Sequence, residues 1–142
     1  MSLTKQETFD RTVRFIFKQG KSVDKSGNCR YRGPDGKKCA AGLWISDGLY
    51  TPELEGDTIA KPACYDALRQ SGFPAREMSV LYALQRAHDG TYNGPNFRSD
   101  FLTECRSVAE KYGLSTAVID ELLPPPSPAL SSTPSPAPTP TL

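Results

Sequence analysis

The stretch NCRYRGPDGKKCAAGLW (residues 28–44) decides the fold class that the chain implies. Within it, Gly33-Pro34-Asp35-Gly36 places proline where a type I turn needs a preset φ, aspartate where a short side chain accepts from nearby backbone, and glycine where φ turns positive. Short arms on both sides predict a β-hairpin over residues 29–41, closed by a glycine bulge. In that register Gly33 pairs with Lys37, Arg32 faces Lys38, Tyr31 faces Cys39, Arg30 faces Ala40 and Cys29 faces Ala41. Alternation puts Cys29, Tyr31, Cys39 and Ala41 on an inner face and Arg30, Arg32 and Lys38 on an outer one. With Lys37 beside the turn, the outer face forms a compact basic cluster suited to several oxygens of one anion.

Helices are expected on both sides of this corner. Thr4 and Glu7 have capping-box spacing, Phe9, Val13, Ile16 and Phe17 recur at helical spacing, and Gly20 supplies a stop, so a helix spans about residues 5–19. Gly42 to Ile45 form an apolar run too short to classify. Thr51-Pro52 opens a short helical turn, and Pro62 opens a helix through Gln70 with Tyr65 and Leu68 inward. Pro74 opens another, with Met78, Leu81, Leu84 and Ala87 on the core side, ending near His88 to Gly90. Phe97, Phe101, Cys105, Val108 and Tyr112 form the most regular apolar stripe, stopped by Gly113. A last helical turn runs from Ser115 to Leu123. The expected fold class is therefore α+β: a mainly helical single domain over residues 1–123 with one hairpin.

From residue 124 the sequence reads PPPSPALSSTPSPAPTPTL, without charge, aromatic residue or apolar period. Such a segment buries too little surface to offset its ordering entropy, and a disordered tail with polyproline II character is expected. The start, MSLTKQETFDR, has no continuous apolar core of the export-signal kind, and no segment approaches the ~20 apolar residues that cross a bilayer. A cytoplasmic protein without a membrane partner is expected, its four cysteines held as thiols.

Net charge is +1, which argues against a general polyanion binder. The distribution is uneven. Residues 1–40 hold ten Lys or Arg (5, 11, 14, 18, 21, 25, 30, 32, 37, 38) against four acids (7, 10, 24, 35). Acids then gather at Asp47, Glu53, Glu55 and Asp57, so a basic end is expected to meet an acidic partner or a phosphate.

Chemistry-bearing motifs are sparse. Cys29 and Cys39 have nine residues between them, too many for the tight turn that presents two thiolates to zinc. They read as buried structural thiols, and no metal site is predicted. The one histidine, His88, sits at a helix end, where an imidazole caps the last carbonyls; Asp89 could orient it, but neighbours in a helix point in different directions. G-x-S-x-G, H-E-x-x-H, Walker and G-x-G-x-x-G patterns are absent from the sequence, so no catalytic residue and no cofactor are predicted. No familiar RNA- or DNA-binding signature is present either.

The pattern carried by Cys29, Tyr31, Arg32, Gly33, Pro34, Asp35, Gly36, Lys38, Cys39, Ala40 and Gly42 resembles a family of small uncharacterised bacteriophage and prophage proteins. The Leu84, Gln85, His88, Asp89 segment is similar to it too. Members often continue with a cysteine and, further on, a proline; Leu43 and Ser46 stand here instead. Small accessory proteins of phages commonly act by occupying a host protein. With the basic cluster and the lack of a catalytic motif, this context leads to the expectation of a non-enzymatic protein in the host cytoplasm that binds a host factor and modulates or inhibits it, a defence component being one such target. The expected binding residues are Arg30, Arg32, Lys37, Lys38 and Trp44. The alternative is a module that binds a nucleotide, nucleic acid or other phosphate-bearing ligand through the basic hairpin.

Overall fold

The computed structural model describes residues 3–55 and 61–123. The proline-rich tail expected from residue 124 onward lies outside them, as does Asp57. Among the described residues there are six α-helices: α1 (Lys5–Gln19), α2 (Ala40–Trp44), α3 (Pro62–Gln70), α4 (Met78–Gly90), α5 (Phe97–Tyr112) and α6 (Ala117–Leu122). Single 3₁₀ turns cover Pro34–Gly36, Pro52–Leu54 and Ala75–Glu77.

Local chemistry accounts for several helix ends. Thr4 Oγ1 accepts from the Glu7 N–H at 3.0 Å while the Thr4 N–H donates to Glu7 Oε1 at 2.9 Å, completing the capping box of α1. Gly113 ends α5 in the left-handed conformation (φ 67°), which costs a residue without Cβ little. Lys21, from the loop after α1, caps a different helix. Its buried ammonium donates to the carbonyls of Asp89 (3.1 Å) and Thr91 (2.7 Å) at the end of α4, where the helix dipole favours a cation.

α1 packs on α4, α5 and α6, α4 packs on α5 and α2, and the shared apolar faces make one core. Phe9, Ile16, Leu81, Leu84 and Phe101 are fully buried in it. Phe101 stacks on Phe97 at a centroid distance of 5.6 Å. Truncating a buried phenylalanine of this kind costs about 3–5 kcal/mol. In α3 the buried stripe is Cys64, Ala67 and Leu68, while Tyr65 is exposed rather than inward. The stripe passes through the small Cys64, which leaves Tyr65 a further 100° round the helix.

The expected hairpin is the main correction: no strand occurs among the described residues, and the fold there is helical rather than α+β. Two isolated antiparallel bridges remain, Val23 with Cys29 and Arg32 with Lys38. The closing pair and the positive φ of Gly36 (76°) follow expectation, the Gly33 N–H donating to the Lys37 carbonyl at 2.8 Å, but the turn is not type I: Asp35 is left-handed as well (φ 60°), where a type I turn holds φ at about −90°. Beyond the Arg32–Lys38 bridge both arms leave. On the second arm Cys39 becomes a helix cap, its Sγ accepting from the Gly42 N–H at 3.4 Å, and Ala40 and Ala41 enter α2. On the first arm the N–H groups of Tyr31 and Arg32 are taken by the carboxylate of Glu55, at 2.8 and 3.0 Å. The next hydrogen-bonded pair of a ladder, Tyr31 with Cys39, would need the Tyr31 donor, so the ladder does not propagate. The inward sorting survives nonetheless: Tyr31, Cys39 and Ala41 are buried and Cys29 is half-buried.

Candidate functional site

The loop ahead of the turn is built on Asp24, whose Oδ1 accepts from the N–H groups of Ser26 (2.9 Å) and Asn28 (3.0 Å). Those bonds, the Asn28 one foremost, hold the Asp24 carboxyl below its ordinary value. Ser22 then reaches across the loop: its Oγ donates to the Arg30 carbonyl at 2.8 Å and its own carbonyl accepts from the Arg30 N–H at 3.0 Å.

Glu55 gathers the basic residues. Besides the Tyr31 and Arg32 N–H groups, it accepts from the Tyr50 hydroxyl at 2.6 Å and lies 3.5 Å from Arg30 Nε. Arg30 is also 4.0 Å from Asp24, and Arg32 pairs with Asp47 at 2.8 Å. The Arg32 guanidinium further donates to the Ile45 carbonyl at 2.7 Å and lies over the Tyr50 ring at 4.9 Å. Arg30 and Arg32 do share a cleft of about 380 Å³ with Lys25, Asp24, Gly33 and Pro34. Their charges, however, are already matched by acids brought from further along the chain. The acidic cluster and the basic arm, separate in sequence, meet here.

Lys37 and Lys38 stand apart from this network and have no ion pair among the described residues. Lys38 is held through its backbone, its N–H donating to Gln19 Oε1 at 2.7 Å, which ties it to the end of α1. Trp44 closes α2 on the same helix. Its indole N–H donates to Thr12 Oγ1 at 2.9 Å, its ring packs on Phe73 at 5.4 Å, and the Arg11 guanidinium lies over it at 5.2 Å. With Phe15 and Leu43 these residues line an open groove of about 270 Å³. The five expected binding residues thus fall at three places: the paired arginines, the two turn lysines, and Trp44 in its groove. Arg11 and Phe15 were missed by the sequence reading. The available signal was a phenylalanine of α1 that falls off the apolar stripe.

The start of α2 and the last turns of α4 touch each other. The Ala41 N–H donates to Gln85 Oε1 at 2.8 Å, and Gln85 Nε2 donates to Asp89 Oδ1 at 2.7 Å. His88, fully buried, accepts from the Ser22 N–H at Nε2 (3.0 Å) and meets Asp89 Oδ1 at Nδ1 (2.9 Å). Adjacent residues do make contact here, because Asp89 lies in the last turn of α4, and the imidazole organises the 20–30 loop instead of capping its own helix.

Cys29, His88 and Asp89 offer ligand atoms within 4.8 Å of one another, the spacing of a metal site. Their hydrogen bonding fits another role. With Nε2 accepting, the imidazole proton sits on Nδ1 toward Asp89, an assignment made from the hydrogen-bond network. A metal on Nδ1 would send that proton to Nε2, against the Ser22 donor. Burial, with the nearby Asp89 carboxylate, pushes the Cys29 thiol up to about 11, so it is not a thiolate at neutral pH. Lys21 adds a positive charge beside it. The same facts leave the pair poorly suited to nucleophilic catalysis, which needs an ionised thiol and a base with a free lone pair. The cluster is a polar clasp between the 20–30 loop and α4.

No model of a known protein family, no curated protein and no solved structure matches the chain. No helix among the described residues is long and apolar enough to cross a membrane.

Proposed function

We propose that the chain is a non-enzymatic binding protein of the phage accessory kind, acting in the host cytoplasm by occupying a host protein, such as a defence component. The observation that carries this reading is the groove of Arg11, Phe15, Leu43 and Trp44. Tryptophan and arginine are the residues that most often dominate binding energy at interfaces. Here an exposed arginine stacked on a half-buried indole sits beside two further apolar side chains. Lys38, tied by its backbone to Gln19 at the end of the same helix, and Lys37 next to it in sequence have no ion pair among the described residues, which favours an acidic partner. Arg30 and Arg32 are assigned to holding the corner together, not to the contact.

Affinity capture from host lysate tests the reading. The wild-type chain is expected to retain a host protein, Arg11→Glu to lose it, and Lys25→Glu, on the far cleft, to keep it. Equal capture by all three, or none by the wild type, overturns the proposal.

A second reading, binding of a phosphate-bearing ligand, is favoured by the presence of Lys25, Arg30 and Arg32 around one cleft. Asp24, Asp47 and Glu55 offset that charge, so any binding there is expected to be weak and to vanish as salt rises. Thermal stabilisation by a nucleoside triphosphate that persists at physiological salt would favour this reading over the first.

A further inference from the structure

The Glu55 carboxylate is held the way a bound anion is held. At Oε1 it meets the Tyr31 N–H (2.8 Å) and the Arg30 guanidinium (3.5 Å from Nε); at Oε2 it accepts from the Arg32 N–H (3.0 Å) and the Tyr50 hydroxyl (2.6 Å). Its side chain is 10% exposed. In an extended strand neighbouring N–H groups point to opposite sides; the bend at Tyr31 turns two successive ones onto one acceptor. Backbone amides that converge in this way make an anion-binding concavity, and here a guanidinium and a phenol complete it.

The donors keep their places through bonds that do not involve Glu55. Ser22 bonds the N–H and the carbonyl of Arg30, Asp47 and the Ile45 carbonyl take the Arg32 guanidinium, and the Tyr50 ring lies under that guanidinium. The segment that delivers Glu55 is anchored one residue earlier, at Leu54, which is buried and whose carbonyl accepts from the Cys64 thiol at 3.6 Å. Rotation about the Glu55 side-chain bonds is therefore enough to vacate the concavity, with the backbone on both sides unchanged. Arg30 and Arg32 also line the cleft of about 380 Å³ that they share with Lys25, which gives an incoming anion a basic approach. One donor is left over: Arg32 Nε is buried and has no hydrogen-bond partner among the described residues. A phosphate group has more acceptor oxygens than a carboxylate and can supply that partner.

We infer that the Tyr31 and Arg32 amides, the Arg30 guanidinium and the Tyr50 hydroxyl form an oxyanion-binding site for a carboxylate or phosphate group, and that Glu55 occupies it as a built-in competitor which the ligand must displace. The site lies apart from the Arg11–Trp44 groove, so the host-binding reading stands or falls without it. It differs from the phosphate reading of the outer cleft in placing the contact on the two backbone amides.

Full-length wild type and Glu55→Ala, isotope-labelled for NMR, are titrated with sodium phosphate and with sodium acetate, ionic strength being held constant with sodium chloride. In the variant at least one of the two anions is expected to move the Tyr31 and Arg32 amide resonances saturably and to raise the urea midpoint above its value in chloride. The anion that acts at the lower concentration tells a phosphate-bearing ligand from a carboxylate. In the wild type the same resonances are expected to move only at concentrations at least roughly tenfold higher, because a tethered carboxylate competes at an effective concentration on the order of millimolar or more. Should Glu55→Ala not fold, Glu55→Gln, which keeps the side-chain volume and one acceptor oxygen without the charge, is titrated in its place with the same expectation. No saturable movement in the variant, equal concentration dependence in variant and wild type, shifts that spare Tyr31 and Arg32, or wild-type amides that move with neither anion would each overturn the inference.

Discussion

Gln85 holds Ala41 in place: the Ala41 N–H at the start of α2 donates to Gln85 Oε1 at 2.8 Å, and the other end of the same amide donates to Asp89. The first N–H groups of a helix have no acceptor within it, and Gln85, buried in α4, supplies one for Ala41. Replacing Gln85 with Ala strands a buried N–H and is expected to cost about 1–3 kcal/mol, read as a lower urea midpoint with an unchanged slope. Gln85→Glu keeps the acceptor but sets a second carboxylate against Asp89. It should be destabilised as well, and less so as the pH falls far enough to neutralise one of the two.

Gly42→Ala tests how tightly α2 sits on the corner. An added Cβ would lie 2.1 Å from the Tyr31 carbonyl oxygen, a backbone atom that cannot step aside as a side chain would. The expected loss is at least about 3 kcal/mol, the upper end for overpacking, measured by chemical denaturation.

Glu55 should behave as a structural residue. Glu55→Ala removes the acceptor for two backbone N–H groups and the Tyr50 hydroxyl, and is expected to cost about 2–3 kcal/mol. It also unmasks Arg30, so retention on a heparin column should increase relative to the wild type. Unchanged retention would mean that Asp24 alone neutralises Arg30.

Cys29 gives a pH signature. Its folded value is raised to about 11 from an ordinary 9.0, so at intermediate pH the unfolded chain has lost a proton that the folded chain keeps. Unfolding then releases that proton, and stability falls as pH rises through the window from 9.0 to about 11, while below 9.0 the contribution is fully retained. Alkylation of Cys29 by iodoacetamide should show a midpoint near 11, and Cys29→Ser should reduce the alkaline loss of stability without abolishing it, because burial raises the Cys39 and Cys105 thiols too.

Much of this fold was legible residue by residue. The Thr4–Glu7 box and Gly20 bound α1, and the phenylalanine stripe with Gly113 bounds α5, because capping and apolar period act over three or four residues. The candidate site was less so. Trp44 stood out as the lone tryptophan, but the groove around it needs Arg11 and Phe15, a helix away in sequence, and only the docking of α2 on α1 brings them together.

By itself the sequence determined the turn at Gly33–Lys37, the ends of the long helices and the inward facing of Tyr31, Cys39 and Ala41, since each depends on near neighbours. Tertiary structure alone decided that the arms beside the turn would not form a ladder and that Arg30 and Arg32 would be neutralised. A backbone N–H or a guanidinium bonds whichever acceptor packing delivers, and here the acceptors are Glu55, Asp47, Ser22 and Gln85, none of them local to the group it satisfies.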